Sequence, residues 1–238
     1  MKRETVAPRD DWQAQLENVG FHFHSLGGAY WDESACYRFS AQEIDMLEEA
    51  TAELHEMSLA AVQSIIDRSL FERFAVEPWL AEHIVASWRA RAPTVYGRFD
   101  LRYNGIESPK LLEYNADTPT SLIEAAVAQW NWLQALKPRA DQFNSLHEKL
   151  VARWQTIRTA LPGVQPVVHF ACLKDNEEDL GNVEYLRDTA LQAGIEARHV
   201  YIEDIGWSED SGGFVDLENQ PIRTLFKLYP WEWMMNDA

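Results

Sequence analysis

The chain has 238 residues, 46% hydrophobic and 25% charged, an ordinary globular composition that excludes a disordered or fibrous chain and leaves room for one large domain or two small ones. Asp plus Glu number 38 against 21 Lys plus Arg, a net charge of -17. That balance argues against sequence-independent nucleic-acid binding and against anionic membranes, which both call for basic surfaces, and it fits a cationic partner or plain solvation.

The first forty residues read as irregular. FHFHSLGGAYW alternates aromatic and small residues up to a Gly27-Gly28 turn, so His22 and His24 would share a face if this were a strand. No third ligand is spaced to complete a metal site with them, and a structural role is the expectation. Cys36 and Cys172 are too few for a disulfide framework or a closed zinc site and read as small buried hydrophobes. MKRETVAPRDDW has no apolar signal-peptide core, and no run approaches the roughly 20 apolar residues of a membrane span, so a cytoplasmic location is expected. The ten tryptophans are scattered and read as core and pocket walls.

Ser40 and Glu43 have the spacing of a capping box, and Ile44, Leu47, Leu54, Met57, Ala61 and Ile65 follow at helical period. Pro78 opens a second helix that Pro93 closes. The period then changes. VYGRFDLRY (95–103) and KLLEYN (110–115) read as two strands of a hairpin linked through Asn104-Gly105. Thr118-Pro119 reads as the start of a helix running through SLIEAAVAQWNWLQAL, Pro138 breaks it, and another helix is expected from about 141 to 161. After Pro162-Gly163 comes a β-α-β pattern: the strand PVVHFAC, the helix NVEYLRDTALQAG and the strand EARHVYIED, which predicts a parallel pair. Residues 213–217 and 222–228 read as a hairpin around LENQP. The expected fold class is mixed α/β. Its first part, 1–162, is helical with a charged β-hairpin, and 163–238 is the β-α-β region with a terminal hairpin.

Strand alternation puts Arg98 and Asp100 on one face of the first strand and Glu113 and Asn115 on one face of the second. If those faces coincide, two carboxylates, an amide oxygen and a guanidinium converge. The oxygens are hard ligands suited to Mg²⁺, and a guanidinium beside them can grip a phosphate or carboxylate. A salt-bridged, solvent-facing sheet face uses the same residues, and spacing alone favours that reading, since half-exposed hairpins often carry such charges.

YGRFDLRY followed by PKLLEYNADTPTSLIEA, with LFKLYPWEW near the end, resembles the glutathionylspermidine synthase family of ATP-grasp carbon–nitrogen ligases, specifically the shorter acid–amine ligase branch that lacks the amidase domain. The resemblance covers nearly the whole chain. It implies Asp100, Glu113 and Asn115 as Mg²⁺ ligands and Arg98 at the reacting acid and phosphate. It implies Thr118 and Thr120 near the acid substrate, where Thr118 can equally be a helix cap. It implies Glu177 and Glu178 near the amine, where they can equally be an acidic first turn favoured by the helix dipole. The implied reaction uses ATP and Mg²⁺. A substrate carboxylate becomes an acyl phosphate, an amine attacks it, and an amide forms. Glutathione and a polyamine are the family's named pair. No Walker loop or dinucleotide fingerprint is present. The family's phosphate-closing lysines lie downstream of the stretch matching WEWMM, and Lys227 reads as an edge-strand charge rather than a replacement for them. The expectation is therefore a pre-ATP-grasp portion without the second ATP-grasp lobe, inactive by itself. The alternative is a non-catalytic amine- or peptide-binding module that keeps the pocket; a third reading is an interaction protein whose acidic surface is solvation alone.

Overall fold

A computed structural model describes residues 1–161, 163 and 165–236. The residues form mixed α and β structure in the order β1 (Lys2–Thr5), α1 (Trp12–Glu17), β2 (Ala35–Arg38), α2 (Ala41–Asp67), α3 (Pro78–Ala90), β3 (Arg98–Arg102), β4 (Lys110–Asn115), α4 (Gln129–Leu136), α5 (Leu146–Arg158), β5 (Val167–Cys172), α6 (Glu177–Gln192), β6 (Glu196–Tyr201), β7 (Gly206–Ser208), β8 (Gly213–Val215), β9 (Leu225–Lys227) and α7 (Trp231–Asn236). The chain divides into two compact units. One comprises Met1–Arg3, Tyr37–Thr94 and Phe99–Glu113; the other comprises Glu4–Cys36, Val95–Arg98 and Tyr114–Ala238. The expected boundary at 162 falls on a residue outside those described, as does Val164 beside it.

The first unit is dominated by α2, which starts as its sequence dictates. Ser40 Oγ accepts the Glu43 N–H, and Glu43 Oε2 accepts the Ser40 N–H at 2.9 Å, so two otherwise orphaned donors are satisfied. Glu43 Oε1 is also held by the N-terminal ammonium and by the Tyr103 hydroxyl. Pro78 occupies the first turn of α3, where its missing N–H is harmless. That helix ends at Ala90, before Pro93, because Arg91 turns into the left-handed region at φ 49°.

The second unit is built on the parallel sheet β6-β5-β9. Alternation along β5 sends Val168, Phe170 and Cys172 into a core with Leu150, Trp154 and Ile157 of α5 and Val183, Leu186 and Ala190 of α6. The β5-α6-β6 crossover is the expected parallel pair. Gly194 closes α6 at φ 78°, the left-handed turn a helix C-terminus favours. A smaller cluster of Leu16, Phe21, Phe23, Ile123 and Ala128 packs the N-terminal turns.

Several elements differ from the sequence reading. FHFHS forms turns, not a strand, with His22 exposed and His24 buried, so the two do not share a face. His24 is structural, its Nδ1 2.7 Å from Ser25 Oγ and its Nε2 3.2 Å from Glu17 Oε1. Strand β3 is five residues long, because Val95 and Tyr96 pack on the core before it begins. Helix α5 is shorter than 141–161, and α6 begins five residues before Asn182, because Asn176 caps it by accepting the Asp179 N–H at 3.0 Å. The expected terminal hairpin forms only around its turn, where Val215 and Pro221 bridge antiparallel and the Ile222 N–H donates to the Phe214 carbonyl; beyond it β8 pairs antiparallel with β7, and β9 joins the central sheet parallel to β5. Between them Asp216 closes a tight turn by accepting the N–H groups of Glu218 and Gln220.

Candidate functional site

The helix expected from Thr118 starts at Leu122. Residues 116–121 form a loop instead, because several of its polar groups are held by separate partners. Asn115 Oδ1 accepts the Thr118 N–H at 3.1 Å, and the Tyr96 hydroxyl donates to the Pro119 carbonyl at 2.5 Å. Arg98 Nη1 donates to Thr120 Oγ1 at 3.1 Å. The buried Asn182 side chain, on α6, then accepts the Leu122 N–H at 2.9 Å and so serves the first helical turn from outside the loop. Thr118 therefore does not cap the helix, and neither threonine stands at its first turn. Ser121, between loop and helix, adopts φ 73°, a left-handed conformation that a residue with a side chain adopts only when its surroundings hold it there.

The next turn is wound as π-helix over Glu124–Ala128, a departure from α geometry that is frequent at functional positions. It carries Glu124, whose Oε1 accepts the Tyr30 hydroxyl at 2.7 Å while Oε2 is buried without a partner among the described residues. Burial raises the Glu124 carboxyl above the usual range, against the Tyr30 hydrogen bond, and the nearby Glu178 charge raises it further. Burial likewise raises the Tyr96 hydroxyl, opposed by the charge of Arg98.

Glu177, Glu178 and Asp179 occupy the first turn of α6, directly after the carboxyl end of β5. Glu177 is exposed and Glu178 half-buried. Burial, followed by the Glu178 charge, pushes the Asp179 carboxyl up to about 6. Three acidic residues in a first turn match the sign of the helix dipole. The carboxyl ends of parallel strands are also where open α/β sheets present ligand sites.

Of the residues singled out from sequence, Arg98 and Thr120 are directly bonded, and Asn115 fixes Thr118. Asp100 and Glu113 stand on β3 and β4, which pair as a two-stranded sheet; Asp100 is half-buried and Glu113 exposed. Among the described residues no three His, Cys, Asp or Glu side chains are grouped to hold a metal. Asp100 and Glu113 belong to one compact unit and Asn115 to the other; by residue type they offer two carboxylates and an amide oxygen. That donor set is one Mg²⁺ accepts, because the ion keeps waters and substrate oxygens.

Sequence reading missed Tyr30, Glu124, Asp117, Asp179 and Asn182. Asp117 and Asn182 carried signals: the first is the last residue of E-Y-N-A-D, and the second is an amide on the otherwise apolar stripe Val183, Leu186, Ala190. Lys227 sits on the sheet edge, as read, and its ammonium is held by Asp117 Oδ1 at 2.6 Å and the Tyr229 carbonyl at 2.8 Å.

The family described as glutathionylspermidine synthase pre-ATP-grasp matches residues 3–238. The chain belongs to that family. Over 242 aligned residues it is 42% identical to a Haemophilus influenzae protein named "Putative acid–amine ligase", covering 98% of this chain and 61% of that protein. It is 29% identical over 189 residues to the Escherichia coli bifunctional glutathionylspermidine synthetase/amidase, covering 77% of this chain and 29% of that protein. A glutathione synthetase-like effector of Globodera pallida, in apo form, shares the fold with a TM-score of 0.56 at 8% identity, over 95% of this chain and 59% of that one. The chain thus spans less than two thirds of the length of each of these relatives. No helix among the described residues is long and apolar enough to cross a membrane.

Proposed function

We propose that this chain carries the acid- and metal-binding part of an ATP-dependent acid–amine ligase. The observation that carries the reading is the Arg98–Thr120 contact. The motif residues R-x-D and E-Y-N-A-D-T-P-T are far enough apart to be unrelated, yet Arg98 is bonded into the pinned loop that follows the second motif. In this reading Arg98 grips the substrate carboxylate, and Thr118 and Thr120 orient it. Preorganised donors of this kind stabilise charge where it develops without reorganising during the reaction.

Asp100, Glu113 and Asn115 would hold Mg²⁺ with the phosphates of ATP. The chemistry that bound Mg²⁺ supplies is neutralisation of charge on the transferring phosphoryl oxygens. Glu177 and Glu178 would receive the amine, and the clustering of Glu177, Glu178 and Asp179 in one helical turn supports a cationic occupant. The acid is of the peptide type, with glutathione as the first candidate, and the amine is a polyamine; the compartment is the cytoplasm. The reaction is carboxylate activation by ATP followed by amide formation.

Calorimetric titration of the chain with glutathione, Mg-ATP and spermidine tests this. Arg98→Ala should weaken glutathione binding by roughly tenfold or more, the loss of one charge-assisted contact. Glu113→Ala should weaken the Mg²⁺-dependent part of nucleotide binding. Unchanged Mg²⁺ dependence would overturn the metal assignment. Polyamine binding with no nucleotide effect would replace the ligase reading with a non-catalytic amine-binding module.

A further inference from the structure

Asp117 and Lys227 are 110 residues apart and have no part in the chemistry above, yet they form the most complete polar arrangement in this part of the molecule. Lys227 lies at the carboxyl end of β9, level with Ala171 of β5, and its side chain is only 11% exposed. Its ammonium donates to Asp117 Oδ1 and to the Tyr229 carbonyl, and it lies 4.5 Å from the centre of the Trp231 ring. The second oxygen of Asp117 accepts the Trp231 backbone N–H at 3.0 Å.

An ammonium has three donors. Two are committed here, and an aromatic face lies against the group, so Lys227 is badly placed to close on a phosphate. It is well placed to hold Asp117. That residue stands between Asn115 and Thr118 in the loop whose other fixed points are the Tyr96 and Arg98 contacts. Those outside contacts reach Pro119 and Thr120, and Asp117, midway between Asn115 and Thr120, is fastened to Lys227 and to the Trp231 backbone.

We propose that the Asp117–Lys227 pair is a positioning clasp for the acid subsite, fixing loop 116–121 at the carboxyl end of the sheet so that Thr118 and Thr120 face a carboxylate in the orientation Arg98 requires. This rests on the acid-site reading above. Lys227 touches no substrate in this scheme and acts through Asp117. Without it, Asp117 keeps one N–H partner and is free to swing toward solvent, and the loop loses its middle anchor.

The test uses the 238-residue chain, with amide hydrogen exchange and glutathione calorimetry on wild type, Lys227→Met, Lys227→Arg and Arg98→Ala. Lys227→Met should speed exchange of the Thr118 amide about tenfold or more by raising local opening. It should also weaken glutathione binding by a similar factor with little change in exchange at the core strand β5. Lys227→Arg, which can still pair with a carboxylate, should restore both. If Lys227→Met does not fold, Asp117→Asn gives the same readings from the other side. Wild-type exchange and affinity in a folded Lys227→Met or Asp117→Asn chain would overturn the clasp. Should Arg98→Ala abolish binding while Lys227→Met leaves it intact, the clasp fails and the acid site stands. Should wild type not bind glutathione, the acid site fails and the Thr118 exchange rate still decides the clasp.

Discussion

Replacing Asp179 with Asn removes a charge that the fold holds against its preference. Asp179 is at the third position of α6 and is tied reciprocally to the cap: its N–H donates to Asn176 Oδ1 at 3.0 Å, and Asn176 Nδ2 donates to its Oδ2 at 2.8 Å. A helix N-terminus favours a carboxylate there by about 0.3–1 kcal/mol. Burial and the Glu178 charge act the other way and win, since the carboxyl is raised from 3.8 to about 6. Such a rise corresponds to roughly 3 kcal/mol if fully realised. The carboxyl is half-buried, and partial solvent screening leaves about 1–2 kcal/mol. The folded value lies above the unfolded one, so the native state binds more protons between them. Stability is therefore highest below about pH 4 and falls as pH rises through about 6. Asp179→Asn keeps the acceptor oxygen and cannot ionise. It should match wild type near pH 4 and exceed it by about 1–2 kcal/mol near pH 8, read by urea denaturation across that range. A variant less stable than wild type near pH 8, or a difference independent of pH, would refute the reasoning by showing that the helix dipole prevails. Spermidine bound beside Glu178 should narrow the gap, because a cation there makes the ionised Asp179 welcome again.

Two further predictions concern the scaffold of the second unit. Arg9 and Glu33 are 8% and 4% exposed and share two contacts, at 2.5 and 3.2 Å, while Trp31 Nε1 also donates to Glu33. Glu33→Ala strands a buried guanidinium and should cost about 3–5 kcal/mol in urea denaturation, with Glu33→Gln costing less. A Cβ on Gly181 would lie 2.9 Å from Cε1 of Phe23, itself 2% exposed. Gly181→Ala should therefore lower stability by about 1–3 kcal/mol despite alanine's better helix propensity, and a raised Tm would show that Phe23 yields.

What was legible in the sequence is what short-range physics decides. The capping box at Ser40 and Glu43 needs two residues three apart, and the structure contains it. Strand β4 falls on 110–115 as read, since Lys110 to Asn115 is bounded by Pro109 on one side and by a polar loop on the other. The parallel β5-β6 pair followed from a helix between two apolar runs. What was not legible depends on partners distant in sequence. Thr118-Pro119 has the local chemistry of a helix start, but Tyr96, Arg98 and Asn182 claim the groups that a first turn would use. The strand after LENQP has the local chemistry of a hairpin partner, but Phe226 and Leu228 bury more apolar surface beside β5 than a two-stranded ribbon could offer. Arg98 was chosen for its charge and its motif; its bond to Thr120 was not derivable from spacing, because it crosses a loop whose path the sequence misread.

The positions where the chain breaks local rules are unevenly distributed, and that distribution bears on function. Among the described residues, six other than glycine have positive φ. Ser69, Ala75 and Arg91 follow helical turns, where a left-handed residue satisfies the terminal carbonyls. Asp175 and Asn219 are residue types that tolerate the conformation in turns. Ser121 has neither excuse: it precedes a helix and lacks the short carbonyl-bearing side chain. The π turn begins three residues later, and its first residue is a buried carboxyl with an unpartnered oxygen. Strained backbone, irregular helix and an unsatisfied acid thus fall within four residues of one another, next to the loop that Arg98 and Lys227 hold. Such a concentration is the pattern expected where a chain accepts local strain to fix side chains for a ligand, and it falls beside the loop to which the acid-site proposal is tied.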